Sequence, residues 1–116
     1  MNDINTDNIK SQMRKGVLEY CILLILSKQD AYSSDIIDTL RNNDVNVAEG
    51  TLYPLLARLK NNGALQYRWE ESKSGPPRKY YHLTAEGAQY LEMLDNSWQR
   101  LQASINNLRE LKSINK

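Results

Sequence analysis

Near the end of the chain, Leu91, Leu94, Trp98, Leu101, Ile105 and Leu108 recur at spacings of 3, 4, 3, 4 and 3 residues. Such alternation over more than two heptads marks a helix with a narrow apolar seam, stable in water only when another helix covers it. Thr84 stands ahead of the run as a cap, with Glu86 in the first turn, where a carboxylate opposes the positive end of the helix dipole. One long helix is therefore expected over residues 84–116. No second long helix is left in the preceding residues, so a second copy of the chain is the economical partner. A homodimer is expected, with Leu94, Trp98, Leu101, Ile105 and Leu108 at its interface.

The rest of the chain must supply the compact part, and 116 residues suffice for one core but not two. Residues 1–8 are polar, are read as a flexible N-terminus, and lack the basic and apolar regions of a secretory signal. Ile9, Met13, Val17, Cys21 and Leu24 recur at helical spacing and predict a largely buried first helix. Its longest apolar run, Tyr20 to Leu26, is far too short to span a bilayer. Gln29-Asp30-Ala31 breaks the pattern. Ser33 or Ser34 then caps a second helix carrying Ile36, Ile37 and Leu40, which ends at Asn42-Asn43-Asp44.

Asn46 and Glu49 have the spacing of a capping box and open a third helix with Leu52, Leu55, Leu56 and Leu59. Gly63 suits a left-handed C-terminal cap, and Pro54 predicts a kink or local irregularity. Leu65, Tyr67 and Trp69 alternate with polar residues, as in a half-buried strand. The turn-rich stretch Ser72 to Pro77 follows, and 78–83 returns as a second strand. Two strands of about six residues and a short loop make an antiparallel hairpin. Tyr80 and Tyr81 point to opposite faces of the second strand, one to the core and the other to solvent or phosphate.

Charge is uneven along this framework. The whole chain carries +1, but residues 49–82 hold Arg58, Lys60, Arg68, Lys73, Arg78 and Lys79 against Glu49, Glu70 and Glu71. A local basic patch is what nucleic-acid binding needs, although a solvated hairpin with ordinary lysines has the same composition. One cysteine and one histidine argue against a disulfide framework or a zinc site and fit a reducing, cytoplasmic setting. No Gly-rich phosphate loop, HExxH motif or supported Cys/His pair appears. No metal, no cofactor, no membrane partner and no enzymatic activity are expected.

Helix, helix, helix, hairpin, long helix is the order of a winged helix-turn-helix with a dimerisation helix appended, a mainly α fold with a small β-hairpin. Residues 9–83 form the expected DNA-binding domain and residues 84–116 the dimerisation helix. An α-helix fits the B-DNA major groove, about 12 Å wide, while a hairpin reaches the adjacent minor groove or backbone. The third helix presents Asn46, Glu49, Thr51 and Tyr53 to base edges or phosphates. Ser33 and Ser34 lie where free backbone N–H groups favour a phosphate. In the wing, Lys73, Arg78 and Lys79 supply charge, and Gly75 allows close backbone approach. The competing reading is a winged helix that has lost specific DNA binding and serves as a protein-interaction module.

Three segments carry a family resemblance. They are Arg14-Lys15-Gly16-Val17-Leu18-Glu19, then Gly50-Thr51-Leu52-Tyr53-Pro54-Leu55-Leu56 with Arg58-Leu59, and Gly75 with Arg78-Lys79-Tyr80-Tyr81-His82-Leu83-Thr84. Together they resemble the PadR family of bacterial transcriptional regulators, over about residues 13 to 90. The single C-terminal helix resembles the small subfamily. Trp98 is similar to the tryptophan that lactococcal multidrug regulators of this family place at the dimer interface, where paired tryptophans sandwich flat aromatic drugs. The resemblance implies a repressor that binds double-stranded DNA as a symmetric dimer on an inverted-repeat operator. It also implies release from DNA by a small aromatic effector at Trp98; if a pore forms there, Val17, Tyr20 and Cys21 are candidates to line it. The sequence departs from the family at Tyr32-Ser33-Ser34-Asp35-Ile36, where Tyr-Gly-Tyr-Glu-Ile is usual.

Overall fold

The computed structural model of the protein describes residue 9, residues 13–14 and residues 16–113. The expected flexible segment 1–8 and Lys15 of the first motif lie outside the described residues. The elements run α1 (Leu18–Leu26), β1 (Ala31–Tyr32), α2 (Ser33–Asn42), α3 (Glu49–Asn61), β2 (Leu65–Ser72), β3 (Gly75–Leu83) and α4 (Ala85–Arg109). The expected order of helices and hairpin is present, with one strand added.

In α1 the buried positions are Leu18, Ile22, Leu23 and Leu26, whereas Val17, Cys21 and Leu24 are half-buried. The face is thus turned by about one residue from the expected one, because a helix apolar on nearly every side gives periodicity nothing to choose between. Ile9 and Met13 are helical but exposed, Met13 by 77%. The reason is a turn at Gly16–Val17, where Val17 has φ −118° and ψ 4° and its N–H donates to the Arg14 carbonyl at 2.9 Å. The buried face therefore starts after that turn.

Ile36, Ile37 and Leu40 of α2 and Leu52, Leu56 and Leu59 of α3 close over α1 as expected, with Leu65, Tyr81 and Leu91 completing the core. Both helices end in the same way. Asp44 and Gly63 adopt φ of 62° and 85°, and in each case the following residue's N–H donates back to the last turn of the helix. Val45 reaches the Leu40 carbonyl at 2.8 Å, and Ala64 reaches that of Leu59 at 2.9 Å. Pro54 does not break α3, which is continuous from Glu49 to Asn61. The bond it forfeits would have gone to Gly50, in the exposed first turn.

The sheet has three antiparallel strands in the order β1-β3-β2, so the hairpin expected from the sequence acquires an edge strand. Ala31 pairs with Tyr81 and Tyr32 with Tyr80. The hairpin itself is longer than expected, with only Lys73 and Ser74 left to the turn. Between the pairs Glu70–Arg78 and Ser72–Gly75, β2 contributes Glu71 alone and β3 contributes Pro76 and Pro77. This bulge lies beyond the reach of the two-residue β1, so neither proline breaks an interior ladder.

α4 is anchored at its start, packs on the core as far as Leu94 and projects beyond it. The Thr84 hydroxyl accepts from the Gly87 N–H at 2.9 Å, as a cap should, and donates to the Gly63 carbonyl at 2.6 Å. Leu91 is buried and Leu94 half-buried against the core; every described residue from Asn96 onward is exposed. The molecule extends to 68 × 36 × 22 Å. Among the described residues no helix is long and apolar enough to cross a membrane.

Candidate nucleic-acid interface

The buried leucines of α3 recur at 52, 56 and 59, which turns Tyr53 and Ala57 away from the core to an exposed flank. The capping box expected at Asn46 is not formed. Ala48 is the N-cap, with no side-chain cap bond, and its carbonyl accepts from Thr51 and Leu52 at 3.0 and 3.1 Å. A tightened first turn replaces the cap, and Asn46 lies two residues upstream, exposed. Glu49 and Thr51 are exposed in that first turn.

Ser33 and Ser34 do not cap α2 either. The N-cap is Tyr32, whose backbone N–H donates to Asp35 Oδ2 at 3.0 Å. Tyr32 is fixed there by its pairing with Tyr80 in the sheet, which moves the helix start one residue earlier than serine chemistry suggests. The two serines become the first two helical residues, with backbone N–H groups that an α-helix leaves without internal partners.

The N-terminus of α2, the outer side of α3 and the hairpin meet in a groove of about 390 Å³ lined by Ser33, Ser34, Tyr53, Trp69, Arg78 and Lys79, among others. A second groove of about 370 Å³ continues past Tyr53 along Lys60, Tyr67 and Lys79. Ser33, Ser34, Tyr53, Arg78 and Lys79, all singled out in the sequence, are thus brought together. Lys73 and Gly75 stand apart from them, exposed at the wing tip.

The charges divide clearly. Arg58 is paired with Glu19, and Arg68 with Glu70 at 2.7 Å and Asp30 at 3.6 Å. Lys60, Lys73, Arg78 and Lys79 form no ion pair among the described residues. Aromatic rings hold three of these four: Arg78 lies 3.8 Å from the Tyr32 ring centre, Lys79 lies 4.6 Å from Tyr67, and Lys60 lies 5.9 Å from Tyr67. A cation over a ring keeps its charge available while losing some of its freedom. Tyr81 is the core-facing member of its pair, and burial pushes its hydroxyl pKa up. Tyr80 packs on Tyr32 at 4.7 Å.

Sequence reasoning missed Tyr32, Trp69, Tyr67 and Lys60 as parts of this surface. The alternation of Tyr67 and Trp69 is visible but suggests core; Trp69 is 61% exposed because the hairpin carries it beyond the helices. Tyr32 opens the segment compared with the family's Tyr-Gly-Tyr-Glu-Ile, but its place in this surface depends on a strand of two residues.

The candidate effector residues divide as well. Trp98 and Tyr20 have ring centres 6.4 Å apart, and the Tyr20 hydroxyl donates to Asp95, a residue the sequence did not single out. That hydrogen bond, followed by burial, pushes the Tyr20 pKa up to about 12. Cys21 instead lines a separate groove of about 440 Å³ with Leu24, Lys28, Leu40 and Val45, and burial raises its pKa. Val17 is the N-cap of α1. Leu101, Ile105 and Leu108 form an exposed apolar row beyond Trp98.

Residues 22–93 match the model of the transcriptional regulator PadR-like family. The chain is similar to a PadR-like transcription factor from Bacteroides fragilis, with 57% identity, 88% of this chain and 99% of that chain covered, and a TM-score of 0.74. It is also similar to a PadR-like transcriptional regulator from Bacillus cereus, with 38% identity, 88% and 100% covered, and a TM-score of 0.75. For a PadR family transcriptional regulator from Eggerthella lenta the values are 33% identity, 91% and 96% covered, and 0.77.

Proposed function

The chain belongs to the PadR-like family of transcriptional regulators, and from that premise we propose that it is a homodimeric repressor holding duplex DNA against α3 and the wing. The observation that carries this reading is the groove in which Ser33, Ser34, Tyr53, Arg78 and Lys79 converge from three separate elements. Its two cations are uncompensated among the described residues. On this reading the N-terminal turns of α3, with exposed Glu49, Thr51 and Tyr53, enter the major groove and read base edges. The first turn of α2 binds a phosphate through its backbone N–H groups. Lys73, Arg78 and Lys79 bind the backbone on either side of the adjacent minor groove, where Gly75 admits close approach. A two-fold pair joined through α4 places two such surfaces on half-sites about 10 base pairs apart or a multiple of that. Occupancy of a promoter is then sufficient to exclude transcription.

Release by a flat aromatic effector belongs to the same proposal. Trp98 stands on the exposed seam beside Tyr20, and a symmetric pair joined along that seam brings two indoles to one interface. The wing is tested by changing Arg78 and Lys79 together to Ala and titrating a mixed-sequence duplex with salt. The slope of log K against log salt is expected to become shallower by roughly two per protomer, at about 0.9 for each phosphate no longer neutralised. An unchanged slope removes the wing from the interface.

A further inference from the structure

Four side chains on one face of the sheet form a continuous row of contacts. Arg68 lies 4.7 Å from the ring centre of Tyr80, Tyr80 lies 4.7 Å from Tyr32 with the ring planes tilted by 56°, and Arg78 lies 3.8 Å from the Tyr32 ring centre. The register explains why they share a face: Arg68 is opposite Tyr80, Tyr32 is opposite Tyr80, and Arg78 is two residues along from Tyr80.

The two arginines at its ends are treated differently. Glu70 is the direct cross-strand neighbour of Arg78 and so the natural carboxylate to neutralise it. Glu70 instead accepts from Arg68 Nε at 2.7 Å, and Asp30, just before β1, adds a second carboxylate to Arg68 at 3.6 Å. Arg68 therefore occupies the local negative charge, and Arg78 is left with a ring beneath it and no counter-charge among the described residues. Arg78 also lines the groove shared with Ser33, Ser34 and Tyr53. A guanidinium stacked through its face keeps the N–H groups on its edges directed outward, in the fork that matches a phosphate. The stack also restricts beforehand the rotations that a free arginine side chain loses on binding.

We propose that Tyr32 is a positioning residue for DNA binding, which holds the Arg78 guanidinium stacked and uncompensated at the groove, ready for a backbone phosphate. The inference rests on the proposed DNA-binding reading and deepens it. Tyr32 also starts α2, so one residue sets both the wing arginine and the helix N-terminus that flank the groove.

The test uses the full-length protein and a labelled mixed-sequence duplex about 25 base pairs long, long enough to cover two half-sites. Tyr32→Phe keeps the ring, and its affinity and salt slope are expected to match the parent. Tyr32→Leu removes the ring and is expected to lower affinity by about tenfold, with a slope shallower by about one per protomer. With Arg78→Ala already present, Tyr32→Leu is expected to cost nothing further. Thermal melting of each variant reports the fold separately. A defect confined to packing leaves the salt slope unchanged and lowers affinity equally on both backgrounds, and either result overturns the proposal. If Arg78→Ala alone changes neither affinity nor slope, the wing reading falls and takes this inference with it. If Arg78→Ala weakens binding and Tyr32→Leu does not, only the role of Tyr32 is overturned.

Discussion

Changing Leu101 and Leu108 together to Asp is expected to leave a folded monomer that no longer holds DNA as a pair. Both residues are on the exposed stretch of α4, Leu108 at 65% exposure, so the protomer's own core does not depend on them. Large apolar side chains at Trp98, Leu101, Ile105 and Leu108 make a continuous row, which a monomer seldom leaves in water. A fully buried leucine contributes about 1.5–3 kcal/mol, so removing these leucines from both chains of a two-fold pair costs roughly 6–12 kcal/mol. That is more than about four orders of magnitude in the dimer dissociation constant, before the cost of burying aspartates is added. Sedimentation is expected to give one species near 13.4 kDa, with a melting curve close to the parent's. A stable dimer in the variant places the interface elsewhere on the molecule.

The second large effect is expected at Gly87, for a reason unrelated to its backbone freedom. A Cβ there meets the Ala64 carbonyl oxygen at 2.0 Å, the Ala64 carbonyl carbon at 2.9 Å and Leu83 Cδ1 at 2.8 Å. Two of those atoms are backbone, at the turn that also receives the Thr84 N–H at 3.1 Å. Gly87→Ala must therefore push the start of α4 away from the end of α3 and loosen the bonds made by Thr84. A cost of about 3–5 kcal/mol is expected, well above the roughly 1 kcal/mol that alanine gains in helix propensity. For a domain of this size the melting temperature falls by about 10–20 °C. Gly50→Ala is the matched control, since a Cβ there meets nothing within 4 Å, and it is expected to be neutral or slightly stabilising. Equal melting temperatures for the two variants contradict the close contact at Gly87.

These two sites show which parts of the structure the sequence carries openly. The seam of α4 is readable because helical periodicity is a local signal and its apolar positions alternate with polar ones. The Gly63 and Thr84 caps are readable for the same reason, each being a property of a few adjacent residues. Gly87 is not, because its importance depends on Ala64, brought to it only by the fold. The caps of α2 and α3 differ from expectation because a preferred N-cap side chain contributes only about 1 kcal/mol, which other contacts can outweigh. At α2, the pairing of Tyr32 with Tyr80 outweighs it. At α3, the tight turn on the Ala48 carbonyl supplies what a side chain otherwise does. The uniform apolarity of α1 leaves the choice of its buried face to tertiary packing.

The same distinction runs through the candidate interface. Residue types and order placed Ser33, Ser34, Tyr53, Arg78 and Lys79 in candidate roles, and the fold gathers them into one groove. Which of the basic residues stay uncompensated is not readable, since it depends on Glu19 and Asp30 reaching arginines far along the chain. The aromatic rings beneath the remaining cations belong to the same long-range class.

On the proposed function, this surface, doubled by the α4 seam, recognises particular DNA sequences. Selection of fragmented genomic DNA on the immobilised full-length protein, followed by sequencing and titration of the recovered duplexes, tests it most directly. Fragments containing an inverted repeat with half-sites about 10 base pairs apart or a multiple of that are expected, bound about a thousandfold or more tightly than a scrambled duplex. Recovery of DNA in proportion to the input, with equal affinity for recovered and scrambled duplexes, contradicts it.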